Sequence, residues 1–189
     1  MQYLRWLQVT FGSSLARMTT SQFEKMFLRP LTARRRCSVA FELSAQEATS
    51  CHAAPATWFI SHTWGNPFAD TLEAILDFFD GAERKGYPTA FLWFDVFVDS
   101  QHETAGPSAT KSPAWYMTTF KNSIMRIGNL LLVVDAWENP TALKRAWSAV
   151  AFSSRFIDPR TFFCFFMNPG KFICVQVCAR ASRHRDEEG

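Results

Sequence analysis

The chain has 189 residues, of which 48% are hydrophobic and 20% charged, and this composition excludes a disordered segment and predicts one globular domain with extensions. The formal net charge is +3, but residues 57–147 carry more acidic than basic side chains. The basic excess therefore lies in the flanks, and nucleic acid is not an expected partner.

Cysteine usage and hydropathy narrow the class further. The five cysteines are odd in number and contain no Cys-x-x-Cys pair, so neither a complete disulfide framework nor a zinc ribbon is indicated. No apolar run reaches the roughly 18 residues that a membrane-spanning helix needs. We therefore expect a cytoplasmic protein with reduced cysteines and no membrane span.

Residues 1–55 are predicted to form an N-terminal extension with short helices. Ser21 and Ser44 are each followed three residues later by Glu, which is the capping-box pattern of a helix start. Pro30 is expected to stop the first of these helices. The small and polar residues of 48–56 resemble a linker into the main domain.

The predicted core, residues 56–147, begins with an uncharged aromatic and β-branched run at 58–60, which is typical of a strand buried on both faces. A helix follows from Asp70, with apolar residues repeating at helical spacing. A second apolar run at 89–98 predicts another buried strand. Ser112 before Pro113 then predicts a helix start, and Gly128 its end.

The most hydrophobic strand is predicted at 129–135, and Asn139-Pro140 predicts the start of one more helix, which contains Trp147. Three strands that alternate with helices, without a hairpin signal, predict βαβ crossovers and a parallel sheet. The fold class is therefore α/β, with helices flanking the sheet.

The last predicted segment, 148–189, differs in composition from the core. Residues 161–167 and 171–178 locally resemble two strands joined by an Asn-Pro-Gly turn, and a charged tail follows. The first of these strands has no polar positions, so the hairpin must be covered or it will promote association. The parallel sheet is expected to be incomplete at this C-terminal end.

Polar side chains follow the first two predicted strands, at the edge where open α/β sheets bind ligands. We expect a strand-end pocket there. Its candidate ligand-binding residues are Ser61, His62, Trp64, Asp95, Asp99, Gln101 and His102.

Asp95 is the most informative of these residues, because an acid within an apolar run must have a partner. It is either a structural partner of the turn that contains Ser61 and His62 or a catalytic group. A metal cluster of His62, Asp95, Asp99 and His102 is an alternative without a local ligand motif. A further alternative is a redox or metal protein built on Cys164, Cys174 and Cys178.

Three stretches of the predicted core resemble the conserved boxes of a known domain family. Phe59-Ile-Ser-His62 with Trp64-Gly65 resembles the first conserved box of TIR-like domains. Leu92-Trp-Phe-Asp95 through Asp99-Ser-Gln101-His102 is similar to the matching strand of fungal heterokaryon-incompatibility domains, although Ser100 stands where those domains usually have Asn. Leu131-Leu-Val-Val-Asp135, followed by Trp147, resembles the third TIR strand and the Trp of its next helix.

The resemblance implies a flavodoxin-like fold and a signalling module that acts through protein association, with self-association as the expected partnership. No cofactor is expected, but some members cleave NAD, so NAD is possible as a ligand or substrate and an NAD glycohydrolase is the alternative function. The catalytic glutamate of those members has no counterpart after Trp147, where the next acid is Asp158. No catalytic or metal-binding residue is therefore assigned, and activity stays uncertain.

Overall fold

The computed structural model describes residues 1–84, 89–102, 112–134, 162–167 and 173–178. Its centre is one five-stranded sheet with the strand order β2-β1-β3-β5-β4. The strands are β1 (Trp58–Ser61), β2 (Leu92–Phe94), β3 (Asn129–Val134), β4 (Phe162–Met167) and β5 (Ile173–Cys178). The chain therefore has the α/β architecture that its pattern predicts.

Three of the strands are parallel. β1 lies in the middle, with Ile60 opposite Phe94 of β2 on one side and opposite Leu131 of β3 on the other. The carboxyl ends of β1, β2 and β3 therefore meet at one edge of the sheet, which is the edge that the sequence analysis assigns to the candidate site.

The remaining two strands form an antiparallel hairpin on the far side of β3. β5 pairs with β3 from Asn129 to Val134, and β4 pairs only with β5 within the described sheet. The sequence predicts these two strands, whereas the predicted Asn-Pro-Gly turn between them lies outside the described residues. β5 supplies antiparallel backbone partners along the whole of β3, and the expectation that the parallel sheet itself is incomplete stays a prediction.

Helices cover both faces of the parallel strands. α5 (Phe68–Arg84) follows β1 and buries Leu72, Ile75, Leu76 and Phe79 against the face that presents Ile60 and Leu131. α7 (Pro113–Ile127) packs Phe120 against Phe59 and Leu130 on the opposite face.

The ends of α7 follow the predicted signals. Ser112 Oγ accepts the Trp115 N–H at 3.1 Å, and Pro113 occupies the first turn, where its missing N–H needs no partner. Gly128 has a left-handed φ of 78° and donates its N–H to Ile124 O, which ends the helix.

The N-terminal segment is helical and belongs to the same hydrophobic cluster as α5 and β1. It contains α1 (Gln2–Leu15), α2 (Thr20–Phe23), a π-helical turn (Glu24–Leu28), α3 (Arg29–Thr32), α4 (Val39–Ser44) and a 3₁₀ turn (Ser50–His52). Leu7 and Leu15 of α1 and Phe23 of α2 are buried with Phe68 of α5. The three-part domain division stays a prediction.

Three local predictions for this segment, at Ser21, Ser44 and Pro30, are wrong. The capping box is formed by Thr19 and Gln22, since Thr19 Oγ1 accepts the Gln22 N–H at 3.2 Å and Gln22 Oε1 accepts the Thr19 N–H at 2.9 Å. Ser44 ends α4, and its hydroxyl donates to Phe41 O at 2.8 Å. Pro30 does not stop the helical run, because it lies in the first turn of α3.

The second strand is shorter than the apolar run at 89–98 predicts. β2 ends at Phe94, and α6 (Asp95–Val98) is a single helical turn. Asp95 Oδ1 accepts the N–H of Val96 at 2.8 Å, so the carboxylate satisfies a backbone donor where the strand ends. The predicted strand at Asp135 and the predicted helix from Asn139 to Trp147 lie outside the described residues.

Candidate functional site

The residues at the carboxyl ends of β1 and β2 are joined by side-chain contacts. The indole Nε1 of Trp64 donates to Asp95 Oδ2 at 2.8 Å, and His62 Nδ1 lies 3.6 Å from Asp95 Oδ1. The His62 ring packs edge-on against Phe94, with ring centroids 4.8 Å apart. The prediction that Asp95 is a partner of the turn after β1 is therefore confirmed, although Asp95 begins a helical turn and is not a strand residue.

Burial limits what these groups can do. The His62 side chain is 1% exposed and the Asp95 side chain 13% exposed. Ser61 is also buried, at the last position of β1, where it pairs with Leu132. A substrate would have to displace packed protein to reach the imidazole. The burial therefore favours a structural role for His62 over direct contact with a substrate.

Gln101 extends the same cluster along the backbone. Its Nε2 donates to Asp95 O at 3.1 Å and to Asp99 O at 3.2 Å. The buried amide therefore holds the backbone carbonyls at the two ends of α6 together. Asp99 and Gln101 thus lie beside the His62, Trp64 and Asp95 group, as the strand-end argument predicts.

His102 contacts the N-terminal segment. Its Nε2 lies 2.9 Å from Thr32 Oγ1, and its backbone carbonyl accepts a hydrogen bond from Arg36 at 3.4 Å. Ser100 Oγ donates to Arg36 O at 3.1 Å, which ties the same turn to the N-terminal segment. Burial, followed by the positive charges of Arg36 and Arg29, lowers the pKa of His102 below its ordinary value of 6.5.

Close to His102 lies an ion pair between a buried carboxylate and a half-buried guanidinium, and it is not predicted from the sequence. Glu24 is 1% exposed, and its two carboxylate oxygens accept bidentate hydrogen bonds from Arg29, each 2.8 Å long. A spacing of five residues does not match the α-helical i+3 or i+4 neighbours, but the π-helical turn at 24–28 brings the two together. The signal in the sequence is an acidic residue followed by a basic residue five positions later, with mostly apolar residues between them.

The seven candidate residues therefore divide into two groups. His62, Trp64 and Asp95 are in mutual contact, with Asp99 and Gln101 next to them, and Ser61 lies at the end of β1. His102 is part of the interface with the N-terminal segment. Within the described parts of the chain, no group of three metal-ligating side chains gathers at one point.

Two of the cavities that described residues form are not lined by any of the seven. One, about 220 Å³, lies between α1 and β2, next to Phe94 and Phe97. The other, about 760 Å³, lies between α1 and the 31–52 segment. Ligand binding by the seven residues stays a prediction.

The pairing register of β4 and β5 shows which residues lie opposite the cysteines of the alternative redox or metal site. Cys164 is opposite Gln176, and Cys174 is opposite Phe166. Cys178 is opposite Phe162 of β4 and Asn129 of β3. No two of the three cysteines are directly opposite each other.

Comparison with known proteins does not place this chain in a family: no family model matches it, and no curated protein or solved structure does either. Among the described helices, none combines the length and apolar character that crossing a membrane requires. What the structure establishes is an α/β protein in which polar side chains that follow β1 and β2 contact one another at the carboxyl edge of the described parallel strands.

Proposed function

We propose that the chain is a TIR-like interaction module that acts in signalling by protein association, including self-association. The observation that carries the proposal is the position of β4, which is the outermost strand of the described sheet and pairs there with β5 alone. Two further features support it: the strand order, and the contacts within the strand-end cluster of His62, Trp64 and Asp95.

The order β2-β1-β3, with α5 on one face and α7 on the other, matches the first three strands of a flavodoxin-like sheet. This is the fold that the TIR resemblance implies. Within the described sheet, the strands next to β3 on its outer side are antiparallel, and this differs from the all-parallel order of that fold.

The strand-end cluster supports an interaction role over catalysis. Its imidazole is buried, and its carboxylate already accepts hydrogen bonds from Trp64 and Val96. A general base must lie within hydrogen-bonding distance of a substrate proton. Because both oxygens of Asp95 already accept hydrogen bonds from the protein, a structural role is favoured.

The β4 edge supplies a surface for association. β4 pairs only with β5 within the described sheet, and its sequence, Phe-Phe-Cys-Phe-Phe-Met, contains neither a charge nor a proline. Exposed edge strands in natural proteins usually carry such residues, because an unmodified edge pairs with other strands. A second copy of this strand is therefore a suitable partner.

Light scattering on the purified chain tests the proposal. We expect concentration-dependent association at micromolar concentration, reduced in the Phe163→Lys/Phe165→Lys variant because charges at an edge oppose strand addition. The matched control is Asn122→Lys/Met125→Lys, which adds the same two positive charges at exposed positions of α7. A monodisperse monomer that melts cooperatively would contradict the proposal.

The alternative function, NAD or nucleotide cleavage, has a separate test. Purified chain is incubated with NAD, and released nicotinamide is measured against a heat-denatured control. Since no catalytic glutamate is assignable, we expect no release above the control. Release that His62→Gln abolishes, with the melting temperature unchanged, would establish the alternative.

A further inference from the structure

The larger cavity combines an aromatic wall with a basic wall. It is an open groove of about 760 Å³ between α1 and the segment that carries α3 and α4. This volume lies within the range of roughly 300–1,000 Å³ that is typical of small-molecule sites. The groove is separate from the strand-end cluster.

The aromatic wall is provided by α1. Tyr3 and Trp6 lie one turn apart and stack, with ring centroids 5.5 Å apart and an interplanar angle of 24°. Tyr3 is largely buried, and burial raises its pKa to about 12, whereas Trp6 is 51% exposed. Tyr3 therefore packs against the indole on one side, and Phe11 contacts it in a T-shaped arrangement with ring centroids 5.8 Å apart. The exposed remainder of the indole lines the groove.

The basic wall comes from the turn after α3. Arg35 is neutralised by Glu42, with Arg35 Nη1 3.4 Å from Glu42 Oε2. Arg34 also lines the groove and is exposed, and no carboxylate in the part of the chain that the structure describes pairs with it. The groove consequently presents one guanidinium that is not neutralised.

We propose that this groove binds a small aromatic anion, whose planar ring packs against Trp6 and whose phosphate or carboxylate group pairs with Arg34. An indole supported by a second ring binds planar molecules by stacking with little ordering cost. A guanidinium matches the geometry of a phosphate or carboxylate through two parallel hydrogen bonds. Leu31, which is 61% exposed at the rim, adds apolar contact for the ring.

Isothermal titration calorimetry on the full chain tests the inference with two probes, AMP and 1-naphthyl phosphate. Adenosine supplies a ring without the anion, and inorganic phosphate supplies the anion without a ring. We expect at least one aromatic phosphate to bind about tenfold more tightly than either fragment, because stacking and the charged hydrogen bonds act together. AMP alone would identify a nucleotide source, and the naphthyl compound alone a simpler aromatic acid.

Two variants assign the binding to this groove. Trp6→Leu and Arg34→Gln are each expected to weaken binding about tenfold. The matched controls are Val9→Leu on the same helix and Arg17→Gln, both at exposed positions that do not line the groove. All four sites are exposed, so melting temperatures should stay close to that of the unmodified chain.

The inference is overturned if neither aromatic phosphate binds, if adenosine or inorganic phosphate binds as tightly as the complete probe, or if the groove variants bind as well as their controls. None of these outcomes bears on self-association at β4, so this inference and the proposed function can fail independently.

Discussion

Trp64 donates its indole N–H to Asp95 Oδ2 at 2.8 Å, and this hydrogen bond joins the turn after β1 to the first residue after β2. The other carboxylate oxygen of Asp95 accepts from Val96 and faces His62. One side chain thus holds the carboxyl ends of two neighbouring strands.

We expect Asp95→Leu to lower the free energy of unfolding by about 1–3 kcal/mol, because the Trp64 and Val96 donors lose their acceptor. Asp95→Asn keeps one acceptor oxygen and should cost less. Urea unfolding of Asp95→Leu, of Trp64→Phe and of the double variant gives a double-mutant cycle for this hydrogen bond. A coupling energy near zero between Asp95 and Trp64 would show that the hydrogen bond does not contribute to stability.

The ion pair between buried Glu24 and half-buried Arg29 gives a second prediction. Arg29→Met leaves a carboxylate that is 1% exposed without its partner, and we expect a loss of about 3–5 kcal/mol in unfolding free energy. The double variant Glu24→Leu/Arg29→Met removes both charges and should recover most of that loss. Chemical denaturation provides the values, and Arg17→Met is the exposed control. A single variant as stable as the control would contradict the prediction.

Arg36 has a φ of 50°, in the left-handed region that disfavours residues with a Cβ atom. Arg36→Gly should relieve roughly 1 kcal/mol of backbone strain, offset in part by the loss of the weak 3.4 Å bond to His102 O and by greater freedom of the unfolded chain. Arg36→Val should lower the melting temperature clearly, since a β-branched residue fits this conformation poorly. Thermal melting that ranks valine above glycine would contradict this account.

His102 predicts a pH dependence of stability. Its folded-state pKa lies below 6.5, so the unfolded chain binds the proton more readily, and the stabilising contribution of the neutral imidazole is lost as the pH falls below about 6.5 toward the folded pKa. Unfolding free energies measured across this range should decrease more steeply with falling pH in the unmodified chain than in His102→Gln. Equal slopes would exclude His102 as the source.

The sequence predicts the elements whose signals are local. β1, β3 and α7 follow from uninterrupted apolar runs or from capping residues such as Ser112 and Gly128, which act within a few residues of themselves. The run at 89–98 is different, because a short apolar segment is compatible with either a strand or a buried helical turn. There the side chain of Asp95 bonds the backbone and favours the turn.

The candidate site was only partly accessible to the same reasoning. Parallel strand ends bring His62, Trp64 and Asp95 together, since that convergence follows from the topology. The pairing of His102 with Thr32 joins residues 70 positions apart, and no local pattern encodes it. The Glu24 and Arg29 pair depends on a π-helical turn, which lies outside the helical periods used to interpret a sequence.

The order of β5 before β4 in the sheet has a consequence for folding during synthesis. β5, the later strand in the chain, is the one that pairs with β3, so β3 lacks this neighbour until residues 173–178 have been made. Ribosomes add roughly 5–20 residues per second, so the nascent α/β core spends seconds with that flank open. Chaperone binding during this interval would favour monomeric chains over those joined through β3.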